Sequence, residues 1–163
     1  MLQHRGQDSA GILSFSKNDH RFHMHKSLGL VAQVFDSYRF EELKGEFAIG
    51  HTRYSTIGKI KEADIQPMLE PYPYGIGAVH NGNISNFKEV KEKLFAEHRY
   101  LHSDNDLEAI IHFIARGMQN AEKGEFFSVL SETVKDLIET CDGGYSVISI
   151  VGGKGMIAFR DPH

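Results

Sequence analysis

Three consecutive helical runs, with short strand-like runs on both sides, constrain the fold of this chain more than any other feature. In each run, apolar residues recur at the three- and four-residue spacing of one helix face. Strands and helices in separate blocks favour an α+β layered domain over a sheet of repeating strand–helix–strand units. The residues predicted to face inward are Phe87, Val90 and Leu94 in the first helix, Leu107, Ile110, Ile111, Ile114 and Met118 in the second, and Phe127, Leu130, Val134, Leu137 and Ile138 in the third.

Polar and glycine residues set the predicted helix ends. Ser85 can cap the first helix with its hydroxyl, and the second helix is predicted to begin after residues 103–104. The third is predicted to extend from about Glu125 to Thr140 and to be ended by the glycines at 143–144.

The strand-like runs are short and are bounded by polar or glycine-rich segments. Residues 59–73 contain three of the four prolines and are predicted to form an irregular loop. Phe22 and Met24 alternate with histidines, which predicts a half-exposed strand. Strands are predicted over 10–15, 22–25, 47–54, 75–80, 145–151 and 156–159, the last two forming a hairpin around Gly152-Gly153.

Composition and charge narrow the possible partners. A chain of 163 residues with 40% hydrophobic residues fits one domain with a sizeable core. The formal net charge of −4 includes no basic surplus, which argues against nucleic acid or an anionic membrane as a partner. A lone cysteine excludes an internal disulfide and indicates a cytoplasmic location, and no apolar run reaches the length of a membrane span.

The two ends of the chain are expected to be cut rather than complete. The first residues contain no apolar stretch of the kind that signal peptides carry. The last residues follow directly on a strand-like run. The chain is therefore predicted to be part of a longer protein.

Four polar clusters, at residues 3–11, 50–56, 80–83 and 103–108, lie where strands end or helices begin. In that order, the clusters can be interpreted structurally as a polar turn, a surface salt bridge of Arg53, a tight Asn-Gly turn at 81–82 and an acid-rich helix start. For the last three there is also a chemical interpretation. An arginine can bind a carboxylate, an asparagine amide with a glycine N–H can form an oxyanion hole, and an acidic side chain can bind an ammonium group.

The histidines at 20, 23 and 25 and Cys141 are weaker candidates. Only His23 and His25 share a strand face, and the sequence places no acidic or cysteine partner beside them, so exposed histidines are preferred over a metal site. Cys141 follows a helix and precedes Asp142, without a base or cation to activate it. It is predicted to be a structural thiol.

Taken in order, the clusters resemble the class II glutamine amidotransferases. The matching segments are Gln-His-Arg-Gly-Gln-Asp-Ser-Ala-Gly-Ile at 3–12, His-Thr-Arg-Tyr-Ser-Thr at 51–56, His-Asn-Gly-Asn at 80–83, Ser-Asp-Asn-Asp-Leu-Glu at 103–108 and Ala-Phe-Arg-Asp-Pro-His at 158–163. The first of these, with Lys-Ser-Leu-Gly-Leu-Val at 26–31, is similar to the amidophosphoribosyltransferase branch. The resemblance implies a four-layer αββα N-terminal-nucleophile hydrolase sandwich, truncated at its N-terminus, with residues 1–163 forming one incomplete domain.

The resemblance also implies how the substrate, L-glutamine, is bound. Arg53 would hold the α-carboxylate, and Thr56 would help to shape that pocket. Asp106 would take the α-ammonium, and Gly82 would lie close to the substrate. A fixed cation and a fixed anion can together bind the two charged groups of a zwitterionic amino acid.

For the reaction itself, the resemblance implies an oxyanion hole formed by Asn81 and Gly82, with Arg5 and Gly6 orienting the nucleophile. The family's nucleophile is a cysteine at the mature N-terminus, and no cysteine precedes the first motif here. Met1 cannot replace it, because a thioether has no proton to lose. The chain alone is therefore expected to bind glutamine poorly or not at all and not to hydrolyse it.

Further expectations concern the longer protein. Its phosphoribosyltransferase domain would use the ammonia to convert phosphoribosyl pyrophosphate to 5-phosphoribosylamine, the first committed step of purine synthesis, and Mg²⁺ is expected there. No cofactor is expected in the present domain, and the longer protein is expected to form a homo-oligomer. Whether it contains an iron–sulfur cluster is left open.

The alternative functions are a non-catalytic glutamine-binding or regulatory module and another class II amidotransferase, such as glucosamine-6-phosphate synthase. Without the nucleophile strand, an open sheet edge is expected to lower stability or to promote self-association.

Overall fold

Two antiparallel sheets form the centre of the molecule, and a computed structural model describes residues 2–54, 61–119, 121 and 125–162. Two single turns of 3₁₀ helix, Leu2–Arg5 and Glu62–Asp64, precede β1 and β4. The elements in chain order are β1 (Ser9–Ser16), β2 (Arg21–Leu28), α1 (Val31–Val34), α2 (Ser37–Glu42), β3 (Phe47–Arg53), β4 (Met68–Glu70), β5 (Ile76–Ile84), α3 (Phe87–Ala96), α4 (Asp106–Met118), α5 (Phe126–Thr140), β6 (Gly143–Val151) and β7 (Gly155–Arg160).

The two sheets pack face to face. One has the strand order β2-β1-β3 and the other the order β4-β5-β6-β7. Alternating side chains from each sheet fill the space between them, with Leu13 and Ile49 from one side and Val79 and Ile150 from the other. Gly77 allows the closest approach, because a Cβ there would lie 2.5 Å from a methyl group of Leu13. The inter-sheet layer is therefore thin and apolar.

Helices cover the outer faces of the sheets unequally. The helices α3, α4 and α5 bury their apolar faces on the four-stranded sheet, and they form the largest core of the molecule with it. The three-stranded sheet carries only the short α1 and α2, with a small cluster around Ala10, Val34 and Phe35. This arrangement is the predicted α+β sandwich with layers in the order αββα. Within the described part of the chain, no helix combines the length and apolar character needed to cross a membrane.

The three predicted helices are confirmed, with two corrections. The residue that precedes α3 is Asn86 rather than Ser85, and it makes no side-chain capping hydrogen bond. In α5 the buried residue of the first turn is Phe126, whereas Phe127 is 72% exposed. Phe126 lies four residues before the buried Leu130 and shares its face, whereas Phe127 is turned about 100° away from it.

The strand predictions need a larger correction at two places. Part of the predicted loop over 59–73 forms β4, whose three residues pair with β5. The predicted tight turn at Asn81-Gly82 is wrong, because β5 continues through both residues and they pair with Ser146 and Tyr145 of β6. Turn-type residues can lie inside a strand when the partner strand supplies the ladder. Residues 59–60 lie outside the described residues.

Candidate functional site

A cavity of about 910 Å³ lies where the ends of β3 and β5 meet the start of α4. It brings together predicted residues from all four motifs, which are far apart in the sequence. Gly6 follows Arg5 but does not line the cavity, and Thr56 lies outside the described residues. The residues that line the cavity include Arg5, His51, Arg53, Gln66, His80, Asn81, Gly82, Asn105 and Asp106.

Asp106 is a fixed, ionised carboxylate at the first position of α4. Its Oδ1 lies 2.9 Å from Nε2 of His80, and its Oδ2 accepts a hydrogen bond of 2.8 Å from the backbone N–H of Ile84. Only 15% of the side chain is exposed. Burial alone would raise the pKa of Asp106, but His80 and the N–H of Ile84 outweigh that effect and lower it. The cavity therefore contains a negative charge in a defined orientation.

Behind this carboxylate lie two polar side chains that the sequence motifs did not single out as functional. His80 is 5% exposed at its side chain, and Gln66 is 3% exposed. The amide of Gln66 contacts His80 twice, once at the backbone N–H and once at the ring Nδ1, over 2.8 and 2.7 Å. The one available signal was a glutamine between Ile65 and Pro67 in an apolar segment.

Arg53 provides the positive charge. It is the last residue of β3, where it pairs with Ser9, and its backbone carbonyl accepts the N–H of Asp8 at 3.0 Å. Its guanidinium Nη1 donates to the backbone carbonyl of Asp64 over 3.0 Å. The same carbonyl accepts the side-chain amide of Asn105 over 2.8 Å. The loop before β4 thus holds the arginine in place beside the helix start.

Two glycines allow backbone segments to approach one another at this site. Gly82 has a φ of +133°, and a Cβ there would lie 2.1 Å from the carbonyl oxygen of Gly144, so no other residue fits without rearrangement. A Cβ on Gly6 would lie 2.5 Å from the backbone nitrogen of Arg53. The N-terminal turn that carries Arg5 therefore packs directly on the end of β3. Asn81 and Gly82 themselves are exposed.

His51 adds a neutral imidazole to the cavity wall. Burial first of all, and the neighbouring His80 and Arg53 to a lesser extent, together lower its pKa to about 4. Its Nδ1 is buried and has no hydrogen-bond partner among the described residues. Near neutral pH, His51 carries no charge that could oppose Arg53.

Cys141 and the histidines of β2 do not contribute to this site. Cys141 is 1% exposed within the core under the helices, and burial raises its pKa to about 11, as expected of a structural thiol. His23 lies 3.2 Å from Asp19, and His25 contacts the carbonyl of Val34. Within the described ranges, no three histidine, cysteine or acidic residues are grouped as metal ligands.

Comparison with known proteins gives one consistent family. Residues 36–138, well over half of the chain, match the glutamine amidotransferase domain family. Amidophosphoribosyltransferase of Pasteurella multocida (strain Pm70) is 38% identical over 100% of this chain and 32% of its own length, and that of Escherichia coli (strain K12) is 37% identical with the same coverage. The chain therefore spans about a third of the length of these relatives.

A solved structure agrees with the sequence comparison. Glutamine phosphoribosylpyrophosphate amidotransferase from B. subtilis, complexed with ADP and GMP, superposes with a TM-score of 0.78 at 27% identity, over 99% of this chain and 32% of that one. The two antiparallel sheets and their helical layers are thus those of a known amidotransferase fold. By its family match over residues 36–138, this chain belongs to the glutamine amidotransferase domain family, and the relatives and the solved structure to which it is similar are amidotransferases of that kind.

Proposed function

We propose that the cavity binds L-glutamine and that the domain, in its complete form, releases ammonia from the glutamine side chain. One observation carries this proposal: a cation, an anion and a pair of exposed polar donors surround a single cavity. They come from β3, α4 and β5. A free amino acid with a side-chain amide presents the complementary groups.

Recognition of the backbone of glutamine uses the two charges. Arg53 binds the α-carboxylate, since a guanidinium offers two parallel donors to a carboxylate. Asp106 binds the α-ammonium, and its lowered pKa keeps it ionised throughout the neutral range. Thr56 is proposed to complete the carboxylate pocket. A substrate without either charge would lose one of these contacts.

The amide end of glutamine lies towards Asn81 and Gly82 in this proposal. Their N–H groups stabilise the negative charge that forms on the amide oxygen in the tetrahedral intermediate. Neutral donors are suited to this role, because they add no positive charge that would compete with the ammonium for Asp106. The absence of a side chain at Gly82 lets the substrate approach the backbone.

The attacking group is proposed to be an N-terminal cysteine, oriented by Arg5 and Gly6. Its sulfur bonds to the amide carbon, the carbon–nitrogen bond breaks, and the nitrogen leaves as ammonia with the thiol proton. Water then hydrolyses the thioester to glutamate. Cys141 cannot replace this group, because it is buried in the core and does not line the cavity. We therefore expect the 163-residue chain alone not to hydrolyse glutamine.

In the longer protein, the ammonia is proposed to reach a phosphoribosyltransferase domain that uses Mg²⁺ and forms 5-phosphoribosylamine. The support is the name shared by the relatives that cover this chain. A second candidate, a non-catalytic glutamine-binding module, is favoured by the position of the lone cysteine in the core. Mass spectrometry of the native protein separates the two, since a mature chain that begins with cysteine supports the enzyme and one that begins at Met1 supports the module.

The experiment that tests the glutamine site measures glutamate release by the full-length protein. Arg53→Ala and Asp106→Asn should each raise the KM for glutamine by about tenfold or more, which corresponds to the loss of one charged contact. Arg21→Ala and Asp19→Asn change the same residue types on the exposed end of β2 and should leave KM unchanged. An unaltered KM in both site variants would contradict the roles assigned to Arg53 and Asp106.

A second experiment tests the nucleophile. Glutamate release by the 163-residue chain, with labelling of Cys141 by a thiol-directed glutamine analogue, would overturn the assignment of the nucleophile.

A further inference from the structure

A chain of three buried polar side chains leads from the interior to the ammonium end of the cavity. Gln66 contacts His80, and Nε2 of His80 lies 2.9 Å from Oδ1 of Asp106. The other carboxylate oxygen of Asp106 is held by the N–H of Ile84. Gln66 and His80 are almost fully buried and 15% of the Asp106 side chain is exposed, so water has little access to the contacts between them.

The amide of Gln66 determines which ring nitrogen of His80 carries the proton. Its oxygen accepts the backbone N–H of His80, so its NH₂ group must face the ring. An amide NH₂ can only donate, which makes Nδ1 an acceptor and leaves the single ring proton on Nε2, the nitrogen that lies 2.9 Å from Oδ1 of Asp106. Reversing the amide would place its NH₂ group against the backbone N–H of His80, donor against donor. Gln66 therefore disfavours both the other tautomer and the doubly protonated ring.

The main chain around Gln66 is fixed from the three-stranded sheet. The ammonium of Lys26 donates to the carbonyls of Ile65 and Pro67, on both sides of Gln66. Gly11 of β1 lies below, where a Cβ would come within 2.3 Å of the carbonyl oxygen of Gln66. Because both neighbours of Gln66 are held, its side chain has little freedom to change the pattern.

We propose that Gln66 holds His80 as the neutral Nε2–H tautomer, and that Asp106 thereby retains its full negative charge for the ammonium group of glutamine. This inference rests on the proposed function, because it gives Asp106 the role of ammonium ligand. Gln66 is then a positioning residue that acts through His80. An imidazolium 2.9 Å from Asp106 would cancel most of the charge that attracts the substrate.

The groups around His80 add no competing charge at neutral pH. Asp106 faces it from α4, and the neutral His51 approaches from β3, with Arg53 further along the same strand. The β6 residue paired with His80 is the apolar Val147. Lys26, which approaches the main chain on both sides of Gln66, is engaged with two carbonyls. The charge state of the ring is therefore set mainly by Gln66 and Asp106.

The test is the pH dependence of the KM for glutamine in the full-length protein. In the wild type, KM should stay constant between about pH 8 and pH 6, because the Gln66 amide donates to Nδ1 of His80 over the whole range. In Gln66→Met the ring is free to titrate, so KM should rise about tenfold over the same range while kcat changes less than about twofold. Gln119→Met, at an exposed glutamine after α4, is the matched control and should keep the flat profile.

Gln66→Glu is a second test variant, for use if Gln66→Met does not fold. A carboxylate can accept from both the backbone N–H and Nδ1–H, which favours the imidazolium and should raise KM already near pH 7. A flat KM profile in both variants, or ¹⁵N shifts that show a protonated Nδ1 in the wild type, would overturn the inference. The same measurements distinguish this inference from the proposed function. An unchanged KM in Asp106→Asn would contradict the proposed function. A raised KM in Asp106→Asn together with a flat KM profile in Gln66→Met would contradict only the role of Gln66.

Discussion

The two halves of the sandwich differ in how much core supports them. The helix-covered half, β4–β7 with α3–α5, contains the large core and buries eight residues of α4 alone. In the three-stranded half, β1–β3 with α1 and α2, the cluster between sheet and helices contains three buried residues among those described, and Leu28 and Phe40 are exposed. Since burial of apolar area is the main stabilising contribution, most of the stability of the domain comes from the helix-covered half.

The candidate site uses both halves. Asp106, Asn81 and Gly82 belong to the helix-covered half, whereas Arg53 ends a strand of the three-stranded half. The end of the site that contains Asp106 is therefore built on the more strongly packed structure, and the end that contains Arg53 on the weaker one. The difference suggests that local changes reach Arg53 more easily than Asp106.

The largest contrast is expected from core truncation in the two halves. Ile110→Ala in α4 removes a fully buried side chain and should lower the free energy of unfolding by about 3–5 kcal/mol. Ile12→Ala in β1 removes a partly buried side chain next to the small cluster, and should cost about 1–2 kcal/mol. Urea denaturation of both variants measures the difference. Equal losses would contradict the unequal support of the two halves.

A second expected effect is an acid-dependent loss of stability from His51 in the three-stranded half. Its pKa falls from the ordinary 6.5 to about 4 in the folded state because of burial. The unfolded chain therefore binds more protons between these values, and folding weakens as pH falls through this window, by at most about 3 kcal/mol. Denaturation curves at several pH values should show this slope in the wild type and in the exposed-site control His20→Asn. The slope should be reduced in His51→Asn, and an unchanged slope there would assign the acid sensitivity to other groups.

The smallest of the three effects concerns Glu108 in the helix-covered half. Burial would raise its pKa, but the neighbouring His112 and hydrogen bonds from His102 and Ser103 lower it to about 2. The contribution of Glu108 to the free energy of unfolding is therefore fully present above about pH 4.5 and is lost as pH falls towards 2. Glu108→Gln should cost about 2 kcal/mol at pH 7. The exposed-site change Glu139→Gln should have almost no effect, and thermal melting of both proteins is the measurement.

Most of the architecture could be predicted from the sequence because apolar spacing dominates it. The faces of α4 and the hairpin of β6 and β7 follow directly from that spacing. The strand β4 could not be predicted, because three residues between prolines carry no periodic signal and form a strand only beside β5. The continuation of β5 through Asn81-Gly82 likewise depends on its partner strand. Whether such segments form strands depends on their pairing with other strands in the folded structure.

The site could be predicted in part. The motifs identified the charged and amide residues, and five of these line one cavity in the structure, namely Arg5, Arg53, Asn81, Gly82 and Asp106. The motifs did not identify the partners behind them. Gln66 is distant in sequence from Asp106, and only the packing of its segment against β1 brings it behind His80. Their roles in glutamine chemistry stay predictions, as does that of Thr56.

Asp64 connects the two charged ends of the site. Its carbonyl accepts from both Arg53 and Asn105, and its carboxylate accepts the N–H of Asp104. Any displacement of this one residue changes the contacts of the arginine and of the helix start together. The positions of Arg53 and of the start of α4 therefore depend on the same peptide unit.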